Sequence, residues 1–437
     1  MLKYTLILIS LHAYADSARL NSIFQHKDFK QSTWSCQITN LKSNTVIYQF
    51  NADKALVPAS NQKIVIALAA LLHHGANYQA SSDFYYSGTV NEGSLAGDLI
   101  VKGNGAHVFT GRFATTQIKQ AMEISRKVKV LCDALKKAGI TEISGSIILH
   151  NSDYSGSFVN SHYPAASPTL FNDNSIDVII NNSKLRIQPA INTIEIKYGS
   201  FAWKQKRSKK ILYINRSKDS QDYWRVESKP DHFYIKNLKY YMTLYGIKIL
   251  DEDFKATEIN ELISIKGLSI AEQLPAILSR SDNLRAETMA LHLAWSKCKR
   301  ANYSLLNRAV HQILIENKLQ LDSLNAADGS GLSRKNKMSA ADMSQLLSFI
   351  LQSKFREQFM KNLAVSGEKG TLTNYLKNLK GRIIAKTGTL NGVKSISGYI
   401  VDEKKMPSHS FSFIVNNSPS STRCWKAFAD ALSEIAN

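Results

Sequence analysis

The sequence predicts an α/β protein in which one sheet with its covering helices is interrupted by a large β-rich insertion. Two observations carry this prediction: strand patterns near both ends of the chain enclose a helical block, and the middle third is dominated by short strand patterns. The 437 residues leave room for about three domains of roughly 150 residues each. With 44% hydrophobic and 21% charged residues, the composition is globular and excludes a disordered or collagen-like chain.

The first part of the chain alternates between strand and helix patterns. Strands are expected at 35–40 and 45–50, followed by a buried helix at 61–72 that is rich in Ile, Ala and Leu. Residues 84–102 alternate in hydrophobicity, and 114–138 are expected to be helical. Further short strands are expected at 145–149, 175–180, 193–197 and 211–215.

Helical periodicity dominates from about residue 270. Helices are expected at 271–278, 283–297, 303–316 and 340–351. Strands are then expected at 382–386, 394–401 and 408–415, and an amphipathic helix that packs on the sheet at 425–435. The predicted boundaries are 16–80 and 255–437 for the sheet domain and 81–254 for the inserted region.

The first fifteen residues have the order of parts of a secretory signal peptide. A short positive start precedes an apolar run at 4–11 and an A-x-A cleavage pattern that ends at Ala15. The alternative is a buried N-terminal strand or helix. Elsewhere no stretch approaches the length of a membrane span. We therefore expect an exported, periplasmic protein, for which nucleic acid is not a partner.

The charge balance favours a polyanion as neighbour. Lys and Arg number 55 against 35 Asp and Glu, a formal net charge of +20. The densest basic stretch lies within 201–240, where aromatic residues interleave with the cations. This stretch is either a solvated face of the insertion, with its aromatic rings in a core, or a peripheral contact with an anionic envelope polymer or membrane surface.

Metal and nucleotide chemistry are not supported. The cysteines are widely spaced and have no histidine at metal-ligand distance in the sequence. The sequence contains no H-E-x-x-H, no phosphate loop and no complete dinucleotide loop, so that neither a metal nor a cofactor is predicted. Three disulfide pairings and four buried thiols remain open for Cys36, Cys132, Cys298 and Cys424.

Three short motifs occur in one order along the chain. Ser60 and Lys63 form S-x-x-K at the start of a predicted buried helix, and Ser281 and Asn283 form S-x-N at the start of another. The sequence K-T-G at 386–388 ends a predicted strand. Each motif alone would recur by chance, whereas the combination in these elements is specific.

The spacing within the motifs predicts acyl transfer through a serine nucleophile. Ser60 and Lys63 lie one helical turn apart on the same face, so that the amine reaches the hydroxyl. Lys63 must lose its proton to act as base, which burial and a second cation, Lys386, favour. Ser281 is expected to relay a proton to the leaving amine, and Asn283 to hold the substrate or Lys63.

The strand motif predicts the other half of the site. Lys386 and Thr387 are expected to meet a carboxylate, and Gly388 would let a substrate backbone approach closely. The backbone N–H groups of Ser60 and Thr389 are the expected oxyanion hole.

With these motifs the sequence resembles the class C low-molecular-mass penicillin-binding proteins (peptidase family S13, the penicillin-binding protein 4 type), which are D-alanyl-D-alanine carboxypeptidases and endopeptidases. The resemblance spans nearly the whole mature chain. Its most specific part is D-G-S-G-L-S-R at 328–334, beside P-A-S-N-Q-K at 58–63 and K-T-G-T-L at 386–390. It implies a transpeptidase/β-lactamase-like catalytic domain, an antiparallel sheet flanked by helices, with two small β-rich domains inserted between the first two motifs.

The resemblance also implies a function. The enzyme would cleave peptidoglycan stem peptides through an acyl-enzyme, without metal or cofactor, and β-lactams would be covalent inhibitors. By position, the catalytic residues would be Ser60, Lys63, Ser281, Asn283 and Lys386, and the residues that bind substrate Thr387, Gly388, Thr389, Arg334, Asn391 and Asp153.

One departure from the family concerns side-chain recognition. The resemblance places Arg334 and Asn391 beside the diamino acid of the peptide. Where the family usually has an aspartate for the ammonium of meso-diaminopimelate, this chain has His150, followed by Asp153. We therefore expect weaker discrimination between peptides with and without that ammonium, unless Asp153 reaches the same pocket.

Two other functions share part of the pattern. A serine β-lactamase of class A has the same three motifs, but its second motif follows the first far sooner. Its E-x-x-L-N carboxylate also has no counterpart here, the nearest run being 322–325, which lacks the Glu. An exported basic binding protein for an anionic polymer would explain the charge but would leave three catalytic motifs without a use.

Overall fold

The computed structural model describes residues 17–436 except for short gaps, which are 112–116, 152, 154–157, 161–162, 182–183, 190–194, 199–204, 207–210, 215–219, 226–229 and 255–257. The predicted signal peptide and most of the densest basic stretch lie outside the described residues. The chain forms two compact units. The main unit comprises Met1–Tyr78 and Ser269–Asn437, and the insertion unit comprises Gln79–Leu268.

The first part of the main unit ends in a helix that is buried on all sides. Helix α1 covers residues 17–24, and strands β1 (Thr33–Asn40) and β2 (Thr45–Phe50) follow. Helix α2 (Gln62–His74) has every residue from Gln62 to Leu71 buried, which explains its run of apolar residues. Both strands and this helix were predicted within two residues.

The insertion unit is mostly sheet. Its strands are β3 (Gln79–Ser87), β4 (Thr89–Asn91), β5 (Ser94–Ala96), β6 (Leu99–Gly103), β7 (Glu142–Ile143), β8 (Ile147–Leu149), β9 (Phe158–Asn160), β10 (Tyr163–Ala166), β11 (Ser175–Asn181), β12 (Lys184–Gln188), β13 (Glu195–Tyr198), β14 (Gln205–Lys206), β15 (Ile211–Ile214), β16 (Ser220–Arg225), β17 (Lys248–Ile249) and β18 (Ile259–Ser269). Its helices are α3 (Gln117–Lys137) and α4 (Pro230–Leu244).

Helix α4 corrects the sequence-based interpretation of this region, which expected no helix here. Its residues Phe233 and Tyr234 are buried in the core of the insertion unit, together with Leu238 and Met242. No element was predicted for 230–244, and the buried face of this helix packs against α3. The sequence analysis left open whether the aromatic residues of the basic stretch lie in a core or on a surface. Phe233 and Tyr234 lie in a core.

The second part of the main unit is a helical block followed by strands. The helices are α5 (Ile270–Leu274), which continues into a π-helical turn (Pro275–Ser279), α6 (Asn283–Cys298), α7 (Tyr303–Glu316), α8 (Ala340–Gln352), α9 (Arg356–Asn362) and α10 (Ser421–Ala436). The strands are β19 (Ala364–Val365), β20 (Ile383–Leu390), β21 (Val393–Val401) and β22 (Pro407–Asn416).

One antiparallel sheet organises the main unit, in the order β19-β20-β21-β22-β1-β2. Pairing of β1 with β22 brings the two parts of the unit into one sheet. One face packs on α1 and α10, and the other on α2 and the helical block. The predicted fold class, an antiparallel sheet flanked by helices with a β-rich insertion, is confirmed, as is the packing of the C-terminal helix on the sheet.

Successive side chains of β20 point to opposite faces of the sheet. Ile383 and Ala385 lie in the core under α10, whereas Ile384 lies in the core of the helical block. Because side chains alternate along a strand, Lys386 points to the same face as Ile384, toward α2. The sequence predicted that K-T-G ends this strand, but pairing with β21 continues to Leu390 and places the motif in mid-strand.

The outer edge of β20 is open where K-T-G lies. The short strand β19 pairs only with Ile384 and Ala385, and within the described residues no strand pairs with that edge from Lys386 onward. An open edge offers unpaired backbone groups to an extended peptide.

The described residues bear on two remaining points of the sequence analysis. All four cysteines are free thiols, and Cys36, Cys132 and Cys424 are buried while Cys298 is partly exposed, so the alternative of four buried thiols is correct for three of them. In the described part of the chain, no helix combines the length and the apolar character needed to cross a membrane.

Candidate active site

Ser60 sits in a strained turn at the start of α2. It belongs to a 3-10 turn, Ala59–Asn61, that enters the helix directly. Ala59 has a φ of 48°, in the left-handed region that non-glycine residues seldom adopt. A conformation of this kind costs roughly 1–3 kcal/mol and persists only when the surroundings hold it. The turn therefore presents Ser60, which is partly exposed, above a helix whose next residues are buried.

Lys63 connects the nucleophile to the second motif. Its Nζ donates to Ser60 Oγ at 3.0 Å, to Asn283 Oδ1 at 2.8 Å and to the Ser330 carbonyl oxygen at 2.5 Å. The side chain is completely buried. Burial lowers the pKa of Lys63 from 10.5 to about 8, although the charges of three carboxylates, those of Glu287, Asp328 and Asp282, act in the opposite direction.

The second motif lies in the turn that enters α6. Asp282 caps the helix by accepting from the Arg285 N–H at 2.9 Å, which is the usual reason for a helix to begin at the next residue. Ser281 has a φ of 63°, again in the left-handed region. The Ser281 hydroxyl lies beside the third motif, and the Asn283 amide oxygen accepts from Lys63.

Lys386 connects the third motif to the second. Its Nζ donates to Ser281 Oγ at 2.9 Å and to the Thr387 carbonyl oxygen at 2.8 Å. The side chain is completely buried, and its pKa is lowered well below the usual value, first by burial and then by the charge of Lys63. The three motifs are thus brought together in the main unit, with S-x-x-K bonded to S-x-N and S-x-N bonded to K-T-G.

The two buried amines bear on one prediction. The sequence analysis expected Lys386 to help lower the pKa of Lys63, and this stays a prediction. Burial lowers the pKa of both amines, and repulsion by the charge of Lys63 lowers the pKa of Lys386 further. A ligand carboxylate beside Lys386 would offset that repulsion and favour its ammonium form.

The remaining residues of β20 shape the open edge. Thr387 donates through its hydroxyl to the hydroxyl of Thr371 at 2.8 Å. A side chain at Gly388 would meet Ser395 Oγ of β21 at 2.2 Å and, in the turn before α2, the Pro58 carbonyl oxygen at 2.9 Å and Ala59 Cβ at 3.0 Å, so that glycine suits this position. Thr389 is exposed, and its hydroxyl accepts from Lys394 Nζ at 2.8 Å.

The residues predicted for side-chain recognition fall in two places. Arg334 is exposed and donates to the Asn391 carbonyl oxygen at 2.6 Å, so these two lie together in the main unit. Asp153 belongs to the insertion unit, where its carboxylate lies 3.3 Å from Lys102 Nζ. Its part in substrate recognition, and the effect of His150 there, stay predictions.

Comparison with known proteins identifies the family. The sequence profile of the D-Ala-D-Ala carboxypeptidase 3 (S13) family matches residues 16–200 and 214–437. The chain belongs to this family. The resemblance inferred from the motifs is confirmed, and with it the predicted class of enzyme, a serine-type D-Ala-D-Ala carboxypeptidase.

One relative and two solved structures that are similar to this chain cover most of its length. The D-alanyl-D-alanine carboxypeptidase DacB of Haemophilus influenzae is 24% identical over 409 residues, 84% of this chain and 81% of the relative. The crystal structure of penicillin binding protein 4 (dacB) from Haemophilus influenzae matches with a TM-score of 0.74 and 20% identity, over 96% of this chain and 99% of the other. A predatory peptidoglycan endopeptidase from Bdellovibrio bacteriovorus matches with a TM-score of 0.51 and 14% identity, over 92% of each chain. The structural matches show a shared fold.

The sequence analysis assigned no role to three residues that belong to or contact the loop or the strand of the active site. Glu287, Ser330 and Thr371 were not given a role, although Glu287 follows Asn283 by one helical turn and therefore shares its face. Asp328, in the D-G-S-G-L-S-R loop, accepts from the N–H groups of Gly331 and Ser333 at 2.7 and 2.6 Å. The carboxylate thus builds the loop whose carbonyl at Ser330 faces Lys63.

Gly331→Ala is expected to lower both the stability and the rate of acylation by a β-lactam. An added methyl group would lie 1.9 Å from the Ala59 carbonyl oxygen, at a φ of 86° that L side chains rarely adopt. We expect a loss of more than about 1 kcal/mol in the free energy of unfolding and a displaced Ser60. Thermal unfolding and labelling kinetics measure the two effects.

Gly392→Ala is the matched control for this substitution. Its φ is 70°, but no atom lies within 4 Å of the added methyl group. The control therefore introduces backbone strain without the contact to Ala59. If both variants lost stability and activity equally, the contact between the loop and the turn of Ser60 would be unimportant.

Proposed function

We propose that this chain is a serine D-alanyl-D-alanine carboxypeptidase and endopeptidase that cleaves peptidoglycan stem peptides through an acyl-enzyme on Ser60. One observation carries the proposal. A completely buried amine, Lys63 Nζ, lies 3.0 Å from Ser60 Oγ and has a pKa of about 8. This is the geometry and the protonation behaviour that a base needs to activate a serine hydroxyl near neutral pH.

Acylation follows from the contacts of Lys63 and Ser281. Neutral Lys63 takes the proton of Ser60, whose oxygen attacks the carbonyl carbon between the two D-alanines. The N–H groups of Ser60 and Thr389 are assigned to the developing oxyanion. Ser281 gives its hydroxyl proton to the leaving amine as the C–N bond breaks, and it takes a proton from the Lys386 ammonium to which it is bonded. Water then attacks the ester: its hydroxyl joins the acyl group, its proton returns through Ser281 to Lys386, and Lys63 returns the proton of Ser60.

The open edge of β20 supports a peptide substrate that ends in a carboxylate. An extended peptide can pair with this edge at Thr389, because within the described residues no strand pairs with the edge from Lys386 onward. Its terminal carboxylate would lie near Lys386, whose ammonium form it would favour. In a D-alanyl cross-link the leaving amine also stands next to a carboxylate, so the same cation would serve both the carboxypeptidase and the endopeptidase reaction.

The place of action is proposed from the substrate and the sequence. The cross-linked peptides of the cell wall lie outside the cytoplasm, and the first fifteen residues have the pattern of a signal peptide. We therefore propose a periplasmic enzyme. The net charge of +20 supports an additional peripheral contact with an anionic envelope surface.

Labelling with a fluorescent penicillin, combined with an assay for released D-alanine, tests the proposal. Stable covalent labelling and release of D-alanine from a pentapeptide are expected. Rapid turnover of the penicillin without release of D-alanine would instead identify a β-lactamase. A folded protein that shows neither reaction but binds an anionic polymer would be a binding protein.

The rate of acylation is expected to rise with pH through about 8, the pKa of Lys63. Lys63 serves as base only after it has lost its proton, so the rate falls about tenfold for each pH unit below that value. The measurement is the labelling rate from about pH 5.5 to 9.5 with a β-lactam that does not titrate in this range. A flat profile would contradict the role of Lys63 as the base.

A further inference from the structure

A buried carboxylate lies behind Ser60 and Lys63, and none of the three motifs includes it. Glu287 stands one turn after Asn283 in α6, on the same helix face, and its side chain is completely buried. A carboxylate is costly to bury unless hydrogen bonds and nearby charges compensate for the lost water. Its contacts therefore indicate why it is there.

The carboxylate holds one short stretch of backbone. Glu287 Oε1 accepts from the Ser330 N–H at 3.0 Å, and Oε2 accepts from the Gly329 N–H at 3.0 Å and from the Tyr303 hydroxyl at 2.6 Å. Burial and the charge of Asp328 raise the pKa of Glu287, whereas these three hydrogen bonds lower it, because every partner donates and the ionised form accepts from each of them. Glu287 thus fixes two successive peptide N–H groups of the D-G-S-G-L-S-R loop.

The same stretch of backbone touches the reacting groups from its other side. The Ser330 carbonyl oxygen accepts from Lys63 Nζ at 2.5 Å and lies 3.4 Å from Ser60 Oγ. Ser330 is therefore held through its N–H by Glu287 and contacts the base through its C=O. The loop is also pressed onto α6, because a side chain at Gly329 would meet the Ala286 carbonyl oxygen at 2.2 Å.

We propose that Glu287 is a positioning residue, which sets the place and the charge environment of Lys63 through the backbone of Gly329 and Ser330. This inference rests on the proposed function of Lys63 as the base. Charge supports it as well as geometry. Glu287, Asp328 and Asp282 raise the pKa of Lys63 against the effect of burial, and Lys386 is the cation on the facing strand.

Two substitutions test the length of the Glu287 side chain and its charge separately. Glu287→Gln keeps the length and removes the charge, so the midpoint of the pH profile of acylation should move by about one unit to lower pH. Its maximal rate should fall about tenfold or more, because one amide N–H₂ now faces backbone donors. Glu287→Asp keeps the charge but is too short to reach both N–H groups, so we expect a similar loss of rate with an unmoved midpoint.

The experiment measures the second-order rate of labelling by fluorescent penicillin against pH, with thermal unfolding to verify folding. Glu316→Gln is the matched control, because it makes the same substitution at a surface ion pair with Lys297. It should leave both the rate and the midpoint unchanged. Ser60→Ala, measured in parallel, tests the proposed function itself.

The outcomes keep the two proposals apart. If Ser60→Ala still labelled, the proposed function would be wrong whatever Glu287 does. If labelling depended on Ser60 but both Glu287 variants retained the native rate and midpoint, only the present inference would be overturned. A loss of rate in Glu287→Gln without a shift of the midpoint would contradict the charge effect. Failure of both variants to fold would make Glu287 a residue of the fold and would also overturn the inference.

Discussion

Ser60→Ala is expected to abolish covalent labelling by penicillin and to leave the fold intact. The substitution removes the one oxygen that Lys63 can deprotonate at 3.0 Å, and no ester can form without it. Peptide hydrolysis should fall by roughly 10³-fold or more, since loss of a nucleophile removes the whole covalent route. Intact-protein mass spectrometry after incubation with penicillin measures the adduct directly.

Stability is the necessary companion measurement for this variant. Ser60 is partly exposed and its hydroxyl makes few contacts, so we expect a change of less than about 1 kcal/mol in the free energy of unfolding. Ser43→Ala, in the exposed turn between β1 and β2, is the matched control and should label like the native protein. Persistent labelling of Ser60→Ala would mean that another residue is the nucleophile.

The spacing of apolar residues in the sequence predicted the helices that bury one continuous apolar face. Helix α7 has the predicted bounds, Tyr303–Glu316, and α8 differs by one residue at its end. These helices present one continuous apolar face, which a sequence pattern records directly. The short helix α9 (Arg356–Asn362) was missed because its seven residues carry no long apolar stripe. Helix α4 was missed although its buried residues Phe233, Tyr234, Leu238, Tyr241 and Met242 recur at helical spacing.

The site could be predicted in part for a similar reason. The relation of Ser60 to Lys63 is set by helix geometry, so the spacing alone predicted their contact. The contacts of Asn283 with Lys63 and of Lys386 with Ser281 depend on how α6 and β20 pack around α2, which no local sequence pattern contains. The motifs were recognised in the sequence, but the distances between them could not be predicted. Glu287 was missed because its partners, two backbone N–H groups of a loop distant in sequence and the hydroxyl of Tyr303, follow no local pattern.

Lys63→Arg is expected to be as inactive as Ser60→Ala, although it preserves the positive charge. A guanidinium stays protonated near neutral pH, so it cannot accept the proton of Ser60. Arg also has more donors than the three acceptors that surround Lys63 Nζ, the oxygens of Ser60, Asn283 and Ser330. Labelling should fall by roughly 10³-fold or more.

The pH profile distinguishes loss of the base from poor fit of the larger side chain. A variant that merely displaced Ser60 would be slow but would still gain rate as the pH rises through about 8, the pKa of Lys63. Lys63→Arg has no group that titrates there, so any residual labelling should show no such rise. Lys426→Arg, which pairs with Asp430 on the exposed side of α10, makes the same change outside the site and should label normally. Labelling of Lys63→Arg at the native rate would remove Lys63 from the role of base, because a permanently charged side chain cannot take the proton of Ser60.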